Sequence, residues 1–254
     1  MAELIATRGL TKRFGGLAAV NRVDFAVNEG QVAGVIGPNG SGKTTLFNLL
    51  SGFFPPSEGT ITYNGREITR LPPHKRVQLG ISRTFQLVSV FASLAVWENL
   101  VLSTLRFKDG GATGGRFYFR HARERAVTDD CLVALRLVGL EDKASLPTSQ
   151  LSYGDKRKLE IAIALSLKPK LLLLDEPLAG LSDHEIGEVI ALIHQVRKDF
   201  TMVIIEHKIS KIVDLVERLS VMNEGRVIAE GLPDQVLKDP AVRECYWGKE
   251  GSRC

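Results

Sequence analysis

Residues 37–44, Gly37-Pro38-Asn39-Gly40-Ser41-Gly42-Lys43-Thr44, satisfy the pattern GxxxxGK[ST] at every fixed position. The chemistry such a stretch supports is the binding of a phosphate chain. Its glycines let the backbone bend tightly and turn successive N–H groups inward, which makes an anion nest. A following helix adds the partial positive charge of its N-terminus. Lys43 is placed to reach the β- and γ-phosphates of a nucleoside triphosphate, and the Thr44 hydroxyl to ligate Mg²⁺. Thr45 joins them as a candidate nucleotide contact. Far downstream, the apolar run Leu171–Leu174 ends in Asp175-Glu176. An acid pair at a strand tip can be a structural cap. Paired with this loop it reads as Asp175 holding Mg²⁺ through water and Glu176 polarising the attacking water.

These groups need elements to hold them. Gln31–Ile36, before the loop, is a short, apolar, β-branched run that predicts a buried strand, and Thr44–Leu50 predicts a helix. Leu171–Leu174 and Met202–Ile205 read as further buried parallel strands, the second ending in Glu206-His207. A helix is expected after Asp183, which is positioned to cap it, with Ile186, Val189, Ile190 and Ile193 at helical spacing. Strands alternating with helices imply an α/β fold with a mostly parallel sheet, whose ligands bind at the carboxyl ends of the strands. The phosphate loop, Asp175-Glu176 and His207 all fall at such ends.

The rest of the chain is less uniform. Leu4–Thr7 and Val23–Val27 predict strands, with Lys12-Arg13-Phe14-Gly15-Gly16 between them. Taken alone, Phe14 is either ordinary packing or a platform for a base. Asn64-Gly65 between alternating runs predicts a hairpin, as does Asn223-Glu224-Gly225 near the end. Gly80–Phe85 reads as a strand leading to Gln86. From roughly 87 to 150 the chain reads as mostly helical, and Lys156–Leu167 as a further helix stopped by Pro169. Lys108–Gly115 carries four glycines and reads as a loop, followed by the basic, aromatic segment Arg116–Arg125. That segment can contact nucleic acid or begin a helix with a solvated basic face. The second reading is preferred, because Val127, Cys131, Leu135 and Val138 continue one apolar stripe to a stop at Gly139.

Composition bounds the function class. The 254 residues carry a net charge of +4, a mild excess that suits a position near an anionic membrane but is no nucleic-acid signature. Cys131, Cys245 and Cys254 are odd in number and lack CxxC spacing, which suggests neither a zinc site nor a disulfide scaffold. The start, Met1-Ala2-Glu3-Leu4, has no signal pattern, and no apolar run approaches the roughly 18 residues of a membrane helix. A cytosolic chain that spans nothing by itself is expected.

Taken together and in order, these residues resemble the ATP-binding subunit of ABC transporters over nearly the whole chain. Gly37–Thr44 match Walker A, Gln86 the Q-loop, and Leu151-Ser152-Tyr153-Gly154-Asp155 the signature. Leu171–Glu176 match Walker B, Ala179–Asp183 the D-loop, and His207 the switch histidine. Arg83-Thr84-Phe85-Gln86, Leu151–Asp155, Glu206-His207 and Glu244–Gly248 are similar to the branched-chain amino-acid importer subfamily, specifically the longer of its two ATPases. Tyr153 and Asp155 depart from the general LSGGQ signature but are familiar in that subfamily, whereas Lys156 stands where it often has Gln.

The resemblance implies a P-loop NTPase core over 1–86 and 168–232. To this core it adds an antiparallel β subdomain on the N-terminal side, an inserted helical subdomain over 87–167 and a tail over 233–254. It implies ATP and Mg²⁺ as ligands, with Phe14 stacking on adenine, Thr44 and Gln86 on Mg²⁺, and Asp175 behind them. Glu176 would activate water and His207 contact the γ-phosphate. Ser152 and Gly154 would face the nucleotide of a second subunit. Implied partners are transmembrane permease subunits, a sister ATPase or a second copy, and indirectly an extracytoplasmic substrate-binding protein, with no nucleic acid. The implied location is the cytoplasmic face of the inner membrane. The alternatives are another cargo (urea, or lipid export) and an ABC-class ATPase acting on nucleic acid.

Overall fold

The computed structural model describes residues 2–84, 90–108 and 121–247. Two long strands, β1 (Glu3–Phe14) and β2 (Leu17–Asn28), open the chain as a hairpin turned at Gly15-Gly16. They run well past the apolar stretches that announced them, because register shifts keep Arg8, Lys12 and Arg13 paired while Leu10 and Thr11 take the buried positions. The third strand, β3 (Val32–Ile36), feeds the phosphate loop and helix α1 (Lys43–Leu50). Next come β4 (Glu58–Tyr63), β5 (Arg66–Glu67), α2 (Pro73–Gln78) and β6 (Ile81–Arg83). The β4–β5 turn holds Asn64 and Gly65 at φ 48° and 72°, the hairpin geometry their types predict.

Helices α3 (Val96–Lys108), α4 (His121–Val138) and α5 (Tyr153–Ser166) fill the middle of the chain. Gly139, at φ 67°, ends α4 as expected. Residues 109–120, which hold the glycines and the first half of the basic segment 116–125, lie outside the described residues, and its second half begins α4 as expected. The core resumes with β7 (Leu171–Asp175), α6 (Asp183–Val196), β8 (Thr201–Ile205), α7 (Ile209–Ile212), β9 (Arg218–Asn223) and β10 (Arg226–Gly231). Short helices α8 (Pro233–Val236) and α9 (Pro240–Trp247) follow.

One expectation fails at α6. Asp183 is its first helical residue, and the cap is Ser182, whose hydroxyl accepts from Glu185 N while the Glu185 carboxylate returns to Ser182 N. A Ser-x-x-Glu capping box satisfies two orphan N–H groups at once, so it prevails over a single aspartate.

The strands form two sheets. Order β10-β9-β3-β8-β7-β6 is parallel except for the edge strand β10, and β2-β1-β4-β5 is antiparallel. Both faces of the parallel sheet are buried, which explains its unbroken apolar runs. Alternate residues serve two cores. Leu172, Leu174, Met202 and Ile204 join α4, α5 and α6, whereas Leu171, Leu173, Val203 and Ile205 join α1 and the antiparallel sheet. Because β8 pairs with both β3 and β7, the ends of these three strands converge on one sheet edge.

Candidate active site

The phosphate loop is shaped by contacts only glycine permits. A Cβ on Gly37 would stand 2.1 Å from the Met222 carbonyl, and one on Gly42, at φ 103°, 2.3 Å from that of Ala19. The turn between β9 and β10 supports the loop from behind, with Gly225 N donating to the Ser41 carbonyl (3.0 Å). Helix α1 starts without a side-chain cap and without an acid in its first turn, leaving its leading N–H groups for an anion.

Lys43 is buried, and its ammonium donates to the carbonyls of Gly37 (2.8 Å) and Pro38 (2.9 Å) and to Ser41 Oγ (3.3 Å). Burial lowers its pKa, while the carboxylates of Glu176 and Asp175 pull the other way. A cleft of about 380 Å³ opens over this loop. Asn39, Gly40, Gly42, Lys43, Thr44 and Thr45 line it from the loop side, Ala19 from β2, and Glu176 and His207 from the tips of β7 and β8.

Glu176 sits at φ 48°, a left-handed conformation uncommon for a side chain of its size, and its Oε1 lies 2.5 Å from His207 Nε2. Strain of this kind persists where the surroundings over-determine it, often at functional sites. Asp175 is fully buried, and Thr84 Oγ1 accepts its backbone N–H (3.2 Å). Burial pushes its carboxyl upward, and Arg83 opposes this through a 2.7 Å ion pair to Oδ2. Asp175 Oδ1 is buried with no hydrogen-bond partner among the described residues.

Other expected contacts stand apart. Phe14 is half exposed on the β1–β2 hairpin, edge-on to Phe54 with ring centroids 5.5 Å apart, and does not line the cleft. Ser152 caps α5 by accepting from Asp155 N (3.0 Å), and Gly154 N donates to Glu185 Oε1 (3.0 Å), so the signature turn is also away from the cleft lining. Its two departures have local partners. The Tyr153 ring packs over Gly180, whose added Cβ would be 3.0 Å from Cε1, and Asp155 pairs with Lys143 at 2.5 Å. Lys156, on the first turn of α5, is half-buried. Gln86 lies outside the described residues.

Sequence pattern alone gives three contributors no role. Arg83 ends β6, and only the sheet order places β6 beside the acid-tipped β7. Glu206 is buried and accepts the backbone N–H groups of Leu178 (2.7 Å) and His207 (3.0 Å), which ties the loop after Glu176 to the histidine. Burial holds its carboxyl above the ordinary range. Glu185 joins α6 to the signature turn. Glu206 acts through tertiary neighbours that no local pattern reveals, and so does Glu185 toward Gly154, although its Ser182 box is a local signal.

Known proteins share this architecture. A family model described as ABC transporter matches residues 20–179, and one described as Branched-chain amino acid ATP-binding cassette transporter matches 226–250. The high-affinity branched-chain amino acid transport ATP-binding protein LivG of Salmonella typhimurium is 39% identical over 97% of this chain and 98% of its own. The corresponding protein BraF of Pseudomonas aeruginosa shows the same identity and coverage. Among solved structures, the ADP conformation of MJ1267, an ATP-binding cassette of an ABC transporter, superposes with a TM-score of 0.84 at 30% identity. It covers 98% of this chain and 100% of that one. A dimeric post-hydrolysis cassette, MJ0796 bound to ADP and Pi, gives 0.74 at 26% identity, covering 90% of this chain and 98% of its own.

Proposed function

Because the chain belongs to the ATP-binding subunits of ABC transporters, we propose that it hydrolyses ATP to power an importer of branched-chain amino acids. The observation that carries the hydrolytic part is the Glu176–His207 pair facing the phosphate loop across one cleft. The cargo rests on the names of relatives aligned end to end and on the matching C-terminal stretch 226–250.

In this reading the loop amides from Gly37 to Thr45 and the Lys43 ammonium take up phosphate charge, Lys43 exchanging its carbonyl partners for phosphate oxygens. Glu176 orients the attacking water and accepts its proton, while His207 holds the carboxylate and meets the terminal phosphate. Phosphoryl transfer asks mostly for positioning and electrostatics, which these groups provide. Phe14 stacks on adenine, and Ser152 and Gly154 complete the site of a second subunit. Glu185, which now holds the Gly154 N–H, then shares or yields that donor.

The residues fit a bound Mg²⁺. Among the described residues Asp175 keeps one buried carboxylate oxygen unpartnered, Thr44 lines the cleft, and Gln86 is the third candidate. When bound, the ion would neutralise charge on the phosphates.

No helix among the described residues is long and apolar enough to cross a membrane, so a transport role needs membrane partners. We assign these as a pair of transmembrane permease subunits, with this chain on the cytoplasmic face of the inner membrane, docked to them through the helical subdomain over 87–167. A sister ATPase or a second copy completes the dimer, and a substrate-binding protein acts through the permeases. The core spans 1–86 and 168–232, and the tail 233–254.

Capture of the tagged chain from detergent-solubilised membranes tests the assembly. Two permease polypeptides with a sister ATPase are expected. Recovery with DNA-associated factors or ribosomes, and no permease, would overturn the transport reading.

A further inference from the structure

The guanidinium of Arg83 is held on several sides. Nη2 donates to Asp175 Oδ2 (2.7 Å), while Nη1 donates to Asn48 Oδ1 (2.7 Å) and Ser51 Oγ (3.1 Å). The group also lies over the Phe47 ring, 5.6 Å from its centroid. Its side chain is 6% exposed and that of Asp175 0%. Asn48, Ser51 and Phe47 belong to α1 or its end, Arg83 to β6 and Asp175 to β7. One side chain therefore ties the helix that follows the phosphate loop to the strand tip that carries the acid.

This arrangement divides the two oxygens of Asp175. Oδ2 is committed to Arg83, and Oδ1 is the buried oxygen without a partner among the described residues. An unanchored carboxylate can turn about its last torsion and exchange its oxygens. A planar, bidentate-capable cation with three acceptors in fixed places prevents this, and lysine cannot reproduce the fork.

We propose that Arg83 is a positioning residue for the cation-handling acid: it fixes Asp175 so that Oδ1 alone is presented to the hydrated Mg²⁺ of the bound nucleotide. The proposal rests on the reading of Asp175 given above. It assigns Arg83 no contact with nucleotide. The groups that orient a metal ligand commonly matter about 10–100-fold in metal affinity, which sets the expected scale.

The test is Mn²⁺ binding, followed by electron paramagnetic resonance, to the full chain loaded with a non-hydrolysable ATP analogue, alongside analogue affinity in EDTA. Arg83→Met should weaken Mn²⁺ about tenfold or more while changing metal-free analogue affinity by no more than about twofold. Arg83→Lys, which keeps the charge and protects against failure to fold, should give an intermediate loss. Native Mn²⁺ affinity in Arg83→Lys, or in a folded Arg83→Met, would overturn the proposal. Asp175→Asn separates the two readings. If it leaves Mn²⁺ affinity unchanged, the role of Asp175 itself is wrong. If it weakens Mn²⁺ while the Arg83 variants do not, only the role of Arg83 fails.

Discussion

Glu176 Oε1 and His207 Nε2 meet at 2.5 Å, although the two residues end different strands and stand 31 positions apart in sequence. The contact is possible because β7 and β8 are parallel neighbours in register, with Asp175 paired to Ile205. Glu176 and His207 therefore share one corner of the cleft. Glu176→Gln keeps the shape and removes the base, so turnover should fall about 10²–10⁴-fold with ATP affinity preserved. His207→Ala should lower turnover in the same direction. Steady-state hydrolysis and equilibrium ATP binding, measured on the same preparations, separate the two effects.

Gly42→Ala should abolish useful nucleotide binding. The new methyl would meet the Ala19 carbonyl at 2.3 Å, and φ 103° is hostile to a side chain. Strain of about 1–3 kcal/mol falls directly on the loop. Titration with a fluorescent ATP analogue should show the loss, with the fold retained by circular dichroism.

The pattern of strands and the phosphate-loop chemistry were legible in sequence because they are local. A glycine-rich loop between an apolar strand and a helix, and an acid pair closing a run of leucines, each declare themselves within a dozen residues. The partners of these groups were not legible. Arg83 reaches Asp175 across 92 positions, and Glu206 reaches Leu178 across 28, contacts set by the order of strands in the sheet and not by any spacing. The β1–β2 hairpin is longer than its alternating stretches predict, for a related reason. Register shifts let polar residues remain paired, so alternation fails as a guide there. The cap of α6 falls one residue before Asp183, since Ser182 and Asp183 are both good caps and only the box with Glu185 decides between them.

Arg76 offers a stability test remote from catalysis. Its buried guanidinium donates to five carbonyls, those of Leu49 and Leu50 at the end of α1 and those of Ile68, Thr69 and Leu71. Desolvation lowers its pKa to about 10, still well above neutrality, so the charge is retained and the carbonyls compensate it. Arg76→Met would orphan these acceptors and should cost about 3–5 kcal/mol. A fall in Tm of about 10 °C is expected for a chain of this size. An unchanged melting curve would contradict the assignment.

The link between α6 and the signature turn should be sensitive to acid. The N–H and hydroxyl of Ser182, then the N–H of Gly154, hold the Glu185 carboxyl below its ordinary range. A carboxyl with a lowered folded-state pKa contributes stability above its unfolded value and loses it as pH falls through the folded one. The difference in urea midpoint between the native chain and Glu185→Gln should therefore be fullest near neutrality. It should close as pH drops below the usual carboxylate range of about 4. A difference that stays constant down to acid would show that charge plays no part in the link.

The central claim is that ATP hydrolysis at Glu176 drives uptake of branched-chain amino acids. The direct measurement is uptake of radiolabelled leucine, isoleucine and valine by cells lacking the chromosomal copy of this chain, complemented with the native chain or with Glu176→Gln. The account predicts that the native chain restores uptake and that Glu176→Gln, at equal abundance, does not. Equal uptake with both would contradict it, as would uptake of these amino acids that is indifferent to the chain altogether.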